Sequence, residues 1–125
     1  MGQKLLWLGL AGAVGTVSRY MLAGLVQRIA GGAFPWGTLV VNGLGCLVFG
    51  IIWALASERF AFGAEVRTVF LVGFLGAFTT FSTAMAEFGQ LALDAEWLRA
   101  TIYLVGGNAS GIGAFFVGSA LGRWT

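Results

Sequence analysis

The residues able to do chemistry in this 125-residue chain are few, and all are polar groups set in apolar sequence. The densest set is the run Gly73-Phe74-Leu75-Gly76-Ala77-Phe78-Thr79-Thr80-Phe81-Ser82-Thr83, glycines followed by hydroxyl residues and phenylalanines. An interrupted helix there would present free carbonyls to a cation and free N–H groups to an anion. The alternative is a bent helix whose hydroxyls bond back to its own carbonyls. Thr38 and Asn42, one helical turn apart, share a face and offer a hydroxyl and an amide. Arg19 lies within an apolar run, either as a fixed positive charge for an anion or as a structural pair or snorkelling side chain. Glu87, Tyr103 and Ser110 complete the set. About 1.5 Å per residue from Thr68 puts Glu87 roughly 28 Å along its segment, beside the far interface. Amide and hydroxyl donors, an arginine and electropositive ring edges suit a small anion better than a cation, and no carboxylate pair marks a cation path.

Composition narrows what can carry these groups. The chain is 58% hydrophobic and only 10% charged, too few charges to cover a water-facing surface. A soluble fold and disorder are both excluded. The seven basic residues stand singly and the net charge is +2, so no nucleic-acid partner is expected. With no histidine and one cysteine, Cys46, histidine-based catalysis, the usual zinc ligands and an internal disulfide are excluded. Cys46 reads as a small core hydrophobe. The chain is expected not to be an enzyme.

A bilayer-spanning helix needs about 20 mostly apolar residues, and the sequence holds four such stretches. They run over residues 5–26, 37–56, 68–91 and 100–121, giving one all-α transmembrane domain over 1–125. Polar punctuation separates them: Gln27, Arg28, Gly31, Gly32 and Pro35; then Glu58, Arg59, Glu65 and Arg67; then Asp94, Glu96 and Arg99. Lys4 before an apolar run imitates a signal peptide, but the run continues to Val26 and is read as a retained span. Glycines line the first span (Gly9, Gly12, Gly15) and pair in the fourth (Gly107 with Gly111, Gly118 with Gly122). Such spacing lets helix backbones approach closely in lipid, so a tight bundle is expected. Lys4, Arg59, Arg67 and Arg123 fall on the side of the termini, against Arg28 and Arg99 on the other. That small bias permits insertion in both orientations. Four helices pack into a filled bundle, which places any ion path at or beside an interface between copies.

These residues resemble a known family, the small four-helix fluoride channels called Fluc or CrcB. The resemblance runs over nearly the whole chain through Arg19-Tyr20, Gly37-Thr38-Leu39-Val40-Val41-Asn42, and Gly73-Phe74-Leu75-Gly76 leading into Thr79-Thr80-Phe81-Ser82-Thr83 and Glu87. It implies an antiparallel dual-topology dimer in membrane lipid, with a broken third helix and two fluoride pathways. It also implies a structural sodium ion (Na+) at the dimer centre, held by the carbonyls of Gly76 and Thr79. Asn42 and Phe81 would line the fluoride path, with Thr38, Ser82, Thr83, Glu87, Tyr103 and Ser110 along a polar track and Arg19 near its mouth. Phe78, three residues before Phe81, is counted with them. The chain departs from the family pattern at Ala84, where a second phenylalanine is usual, and at Gly107 and Gly111, where serines are usual.

The expected function is passive, selective fluoride export across a bacterial inner membrane by a homodimer. Two alternatives remain beside it. One is a subunit of a heterodimeric channel, suggested by Ala84 and the fourth-span glycines. The other is a small proton-coupled exporter of organic cations, which lacks its usual first-span carboxylate here and would need a deep Glu87.

Overall fold

The computed structural model describes residues 1–58 and 63–124; Arg59, one of the charges counted for orientation, lies outside them. The described residues are helical almost throughout. Helix α1 is Gly2–Ala30 and α2 is Trp36–Glu58. The third span opens with Ala64–Thr68, continues as a π-helix over Val69–Leu75 and ends at Gly76–Phe78, one unbroken helix designated α3. Thr79 and Thr80 are extended, and the span resumes as α4, Phe81–Leu93. Helix α5 is Trp97–Trp124. Each of the four spans is long and apolar enough to cross a membrane. The helices outrun the apolar runs read from sequence because residues such as Gln3, Lys4, Gln27 and Arg28 still close backbone hydrogen bonds at the bilayer surface.

Packing follows the glycines, though unevenly. The most extensive contact is α2 along α5, followed by α1 on the π-helical stretch of α3. In the first pair a Cβ on Gly118 would strike the carbonyl of Leu47, and one on Gly50 the carbonyl of Phe115. A Cβ on Gly122 would come within 2.6 Å of the Ile51 carbonyl. Backbones this close gain dispersion contact along their length, the main attraction available between helices in lipid. Gly15 does the same for α1 against the Phe74 carbonyl, whereas Gly9 meets nothing within 4 Å. The Gly107 and Gly111 pair makes no such approach: Cβ atoms there would stop 3.4 Å from Leu39 Cδ1 and Cys46 Sγ. One fourth-span pair therefore packs helices and the other opens space.

Two small apolar cores result. Val41, Leu71, Leu75 and Phe78 form one, and Leu91, Ala100 and Tyr103 the other. Most remaining large apolar side chains, among them Leu5, Val17, Leu98 and Phe116, are exposed, as lipid-facing surfaces require. The α1–α2 connection is tied by Gln27, whose amide donates to the carbonyls of Gly32 and Phe34 while its oxygen accepts from the Gly37 amide. Gly31 and Gly32 turn the chain there at φ of 68° and 72°, backbone angles that favour glycine.

Gly118→Leu should drive α2 and α5 apart, lowering stability by about 2 kcal/mol or more. The check is an SDS unfolding titration beside Gly113→Leu, whose site has open space within 4 Å and should leave the midpoint unchanged.

Candidate functional site

The interruption of the third span is the centre of the site. At Thr79 (φ −87°, ψ 157°) and Thr80 (φ −149°, ψ 113°) the chain leaves the helical region for two residues. Two extended residues inside a membrane helix free backbone groups that lipid cannot satisfy. The side chains around the break meet that demand. The amide and hydroxyl of Thr79 both donate to the Leu75 carbonyl, each at 2.9 Å. The Thr80 amide would have closed the next turn on Gly76; instead it donates to Asn42 Oδ1 at 2.8 Å. Asn42 Nδ2 returns a bond to the Thr80 carbonyl at 3.0 Å. Asn42 thus pairs with Thr80 as a neighbouring β-strand peptide would, using a side-chain amide in place of a backbone.

Either end of the break is then capped. Arg19 Nε donates to the Ala77 carbonyl at 3.0 Å, placing a positive charge against the carbonyl end of α3. The guanidinium thus has a structural partner, while Arg19 also lines a cleft beside α1. On the other side the Thr80 hydroxyl accepts from the Thr83 amide at 3.2 Å and donates to the Thr83 hydroxyl at 2.9 Å, capping α4. The remaining first-turn amides of α4 lack intrahelical carbonyls. An electropositive helix end and an electronegative one therefore face each other across two residues.

Glu87 is half-buried, with both carboxyl oxygens engaged. Thr38 donates its hydroxyl to Oε1 at 2.8 Å and Tyr103 donates to Oε2 at 2.6 Å. Tyr103 is only 4% exposed, its ring edge-on to Phe34. Both partners come from neighbouring helices, Thr38 from the first turn of α2 and Tyr103 from the second turn of α5.

These groups line two clefts. One, of about 400 Å³, lies between α2, the break and α5, and is lined by Asn42, Gly76, Thr79, Thr80, Phe81 and Tyr103 together with Gly107, Asn108 and Gly111. The other, of about 730 Å³, lies beside α1 and is lined by Arg19, Arg28, Thr38, Thr80, Thr83 and Glu87. Thr80 lines both, so the break is the wall between them. Phe81, the first residue of α4, is 74% exposed. Ser82 is exposed on α4. Phe78 is not brought into this set: its ring is buried in the α2–α3 core and stacked on Phe74, with centroids 5.7 Å apart. Ser110 is exposed and its hydroxyl turns to the Gly107 carbonyl at 3.1 Å. Sequence reasoning singled out neither Thr80 nor Asn108 as a site residue. Thr80 had a signal, a hydroxyl residue three before Thr83 at a helix start.

Fold and site together define a multi-pass integral membrane protein whose polar groups are gathered at bilayer depth around a helix break, the class that holds channels and small transporters. Residues 6–119 match the family described as CrcB-like protein, Camphor Resistance (CrcB). A protein of Nitrosococcus oceani named fluoride-specific ion channel FluC is 55% identical over 98% of both chains. Proteins with the same name from Solidesulfovibrio magneticus and Desulforapulum autotrophicum are 49% and 48% identical, again over 98% of each chain. The chain belongs to the CrcB family, a family of ion channels and not of enzymes.

Replacing Asn42 by leucine would leave the amide and carbonyl of Thr80 unpaired inside the membrane, at about 1–3 kcal/mol for each group. Faster amide hydrogen exchange at Thr80 and Thr83 and a lower SDS midpoint are the expected outcomes. Unchanged exchange would show that the break does not depend on this amide.

Proposed function

We propose that the chain conducts fluoride selectively and passively, letting the ion leave the cytoplasm across the inner membrane of a bacterium. The observation that carries this reading is the set of donors at the break: the amide end of α4, Asn42, and a Phe81 ring exposed at bilayer depth. Fluoride is small and strongly hydrated, so removing its water requires donors at close range along the path. Hydroxyls of Ser82 and Thr83 and the ring edge of Phe81 continue the series. The names carried by the relatives agree with it. Fluoride that enters as the neutral acid ionises inside, and a passive route suffices to release it.

The assembly in this proposal is an antiparallel dimer of two copies in lipid. The cleft that Phe81 lines is open on one side of the protomer, and a second copy would close it. The bias of four basic residues against two is small enough to permit insertion in both orientations. A related partner chain in place of one copy is the heteromeric form of the same proposal. Glu87 has both oxygens engaged by hydroxyls, which suits a fixed acceptor in a polar track better than a carboxylate that must cycle a proton for cation export.

A structural sodium ion belongs to the same proposal, and the donor chemistry suits it. The amide that would close on the Gly76 carbonyl is turned to Asn42, and Gly76 and Thr79 line one cleft. Backbone carbonyls are the hard neutral oxygens that sodium accepts. The carbonyls of Gly76 and Thr79 would hold it, and its charge would offset the electronegative helix ends brought together between copies.

Liposomes containing this chain alone should release fluoride, followed by electrode, while retaining chloride. Phe81→Ile keeps apolar bulk but loses the polarised ring edge, and about a tenfold slower release is expected if one close contact to the ion is lost. An unchanged rate would remove the ring from the path. Exchange of all sodium for N-methylglucamine should dissociate the dimer in size-exclusion chromatography and reduce the flux; intact assembly and flux would remove the sodium.

A further inference from the structure

We infer that Asn108 supplies a second side-chain amide to the fluoride path, in place of the hydroxyls missing at Gly107 and Gly111. The inference rests on the fluoride-channel reading and deepens it.

Asn108 stands about 17 Å along α5 from Trp97, counting 1.5 Å per residue, and so near the middle of the span. It lines the cleft of about 400 Å³ together with Asn42, Phe81 and Tyr103. Its Nδ2 donates to the Leu104 carbonyl at 2.7 Å, one turn back on the same helix. Only the NH₂ end of the amide can face that carbonyl, so the orientation is fixed. Asn108 is exposed on the single chain, and its second Nδ2 hydrogen and Oδ1 have no partner among the described residues.

A half-satisfied amide at bilayer depth is costly against hydrocarbon. It is tolerable where the cleft provides something to bond. Besides Tyr103, whose hydroxyl is given to Glu87, the cleft surface of α5 around it is Leu104, Gly107, Gly111, Ile112 and Phe115, none with a side-chain donor. The one nearby hydroxyl, on Ser110, is turned back to the Gly107 carbonyl. Asn108 is therefore the side chain through which this stretch of α5 can donate to an ion in the cleft. The glycines beside it leave the space, since Cβ atoms there would lie only in ordinary contact with Leu39 and Cys46. The amide leaves one N–H donor and the Oδ1 acceptor free, and under the fluoride reading it is the N–H that would meet a small anion between it and the Asn42 and Phe81 side of the cleft.

The test compares fluoride and chloride efflux from liposomes holding wild type, Asn108→Leu, Asn108→Asp or Asn108→Ser, each also sized by chromatography. Asn108→Leu should slow fluoride release by about tenfold, the equivalent of one lost hydrogen bond to an ion. Asn108→Asp, which adds a negative charge at nearly constant shape, should slow it at least as much. Asn108→Ser should restore most of the rate by returning a hydroxyl. All four should elute alike. Fluoride release from wild type with an equal rate from Asn108→Leu overturns this inference and leaves the channel reading intact. Loss of rate that tracks loss of the dimer also overturns it, assigning Asn108 to contact between copies. A wild type that releases no fluoride removes the channel reading, and this inference with it.

Discussion

A backbone that leaves the helix inside a membrane must find partners for every group it frees, and this one requirement organises the molecule. The third span leaves the helix at Thr79 and Thr80, and three other places in the sequence answer it. Asn42 from α2 takes both backbone groups of Thr80, Arg19 from α1 takes the Ala77 carbonyl, and the Thr80 hydroxyl closes on Thr83. Each is polar in a segment that is otherwise apolar. Their presence at membrane depth is thus explained first by structure, and whatever they do for an ion is built on that.

The way the break is satisfied also sets its electrostatics. One side ends in carbonyls and carries the Arg19 guanidinium; the other begins with amides and carries hydroxyls. The amide end of α4 favours what is negative, while the carbonyl end of α3 is already met by the Arg19 charge, within two residues of it. Thr80 borders both clefts, so the same wall that separates them presents donors to each. Glu87 lies on the arginine side, and its charge is matched locally by hydroxyl donors from Thr38 and Tyr103.

Much of this was legible in the sequence because membrane helices are constrained so simply. Length and hydropathy were enough for four spans, and an unusual cluster of glycine and hydroxyl residues was enough for a broken third one. Thr38 and Asn42 were read onto one face, and both do reach the third span. Less legible was what depends on neighbours. Glu87 counts toward the end of its own helix, but which groups engage it is set by α2 and α5. Phe78 and Phe81 look equivalent in sequence, yet the two extended residues between them rotate one ring into the core and the other outward. The π-helical stretch before the break, Val69–Leu75, had no signal distinct from ordinary apolar helix.

The glycines show how one spacing can serve opposite ends. Gly118 and Gly122 meet the α2 backbone and close the bundle, while Gly107 and Gly111, of identical spacing one stretch earlier on α5, face a cleft. The difference lies in what stands opposite. Near Gly118 and Gly122, α2 presents the carbonyls of Leu47 and Ile51 at close range; near Gly107 and Gly111, it presents the side chains of Leu39 and Cys46, which hold the helices farther apart. The helices are therefore pinned together at one end of their contact and spaced at the other. The space opens at the level of Asn42 and the break, where the polar groups need it. The chain thus obtains a recess bordered by Asn42 and the break by placing its closest packing elsewhere on the same helix pair.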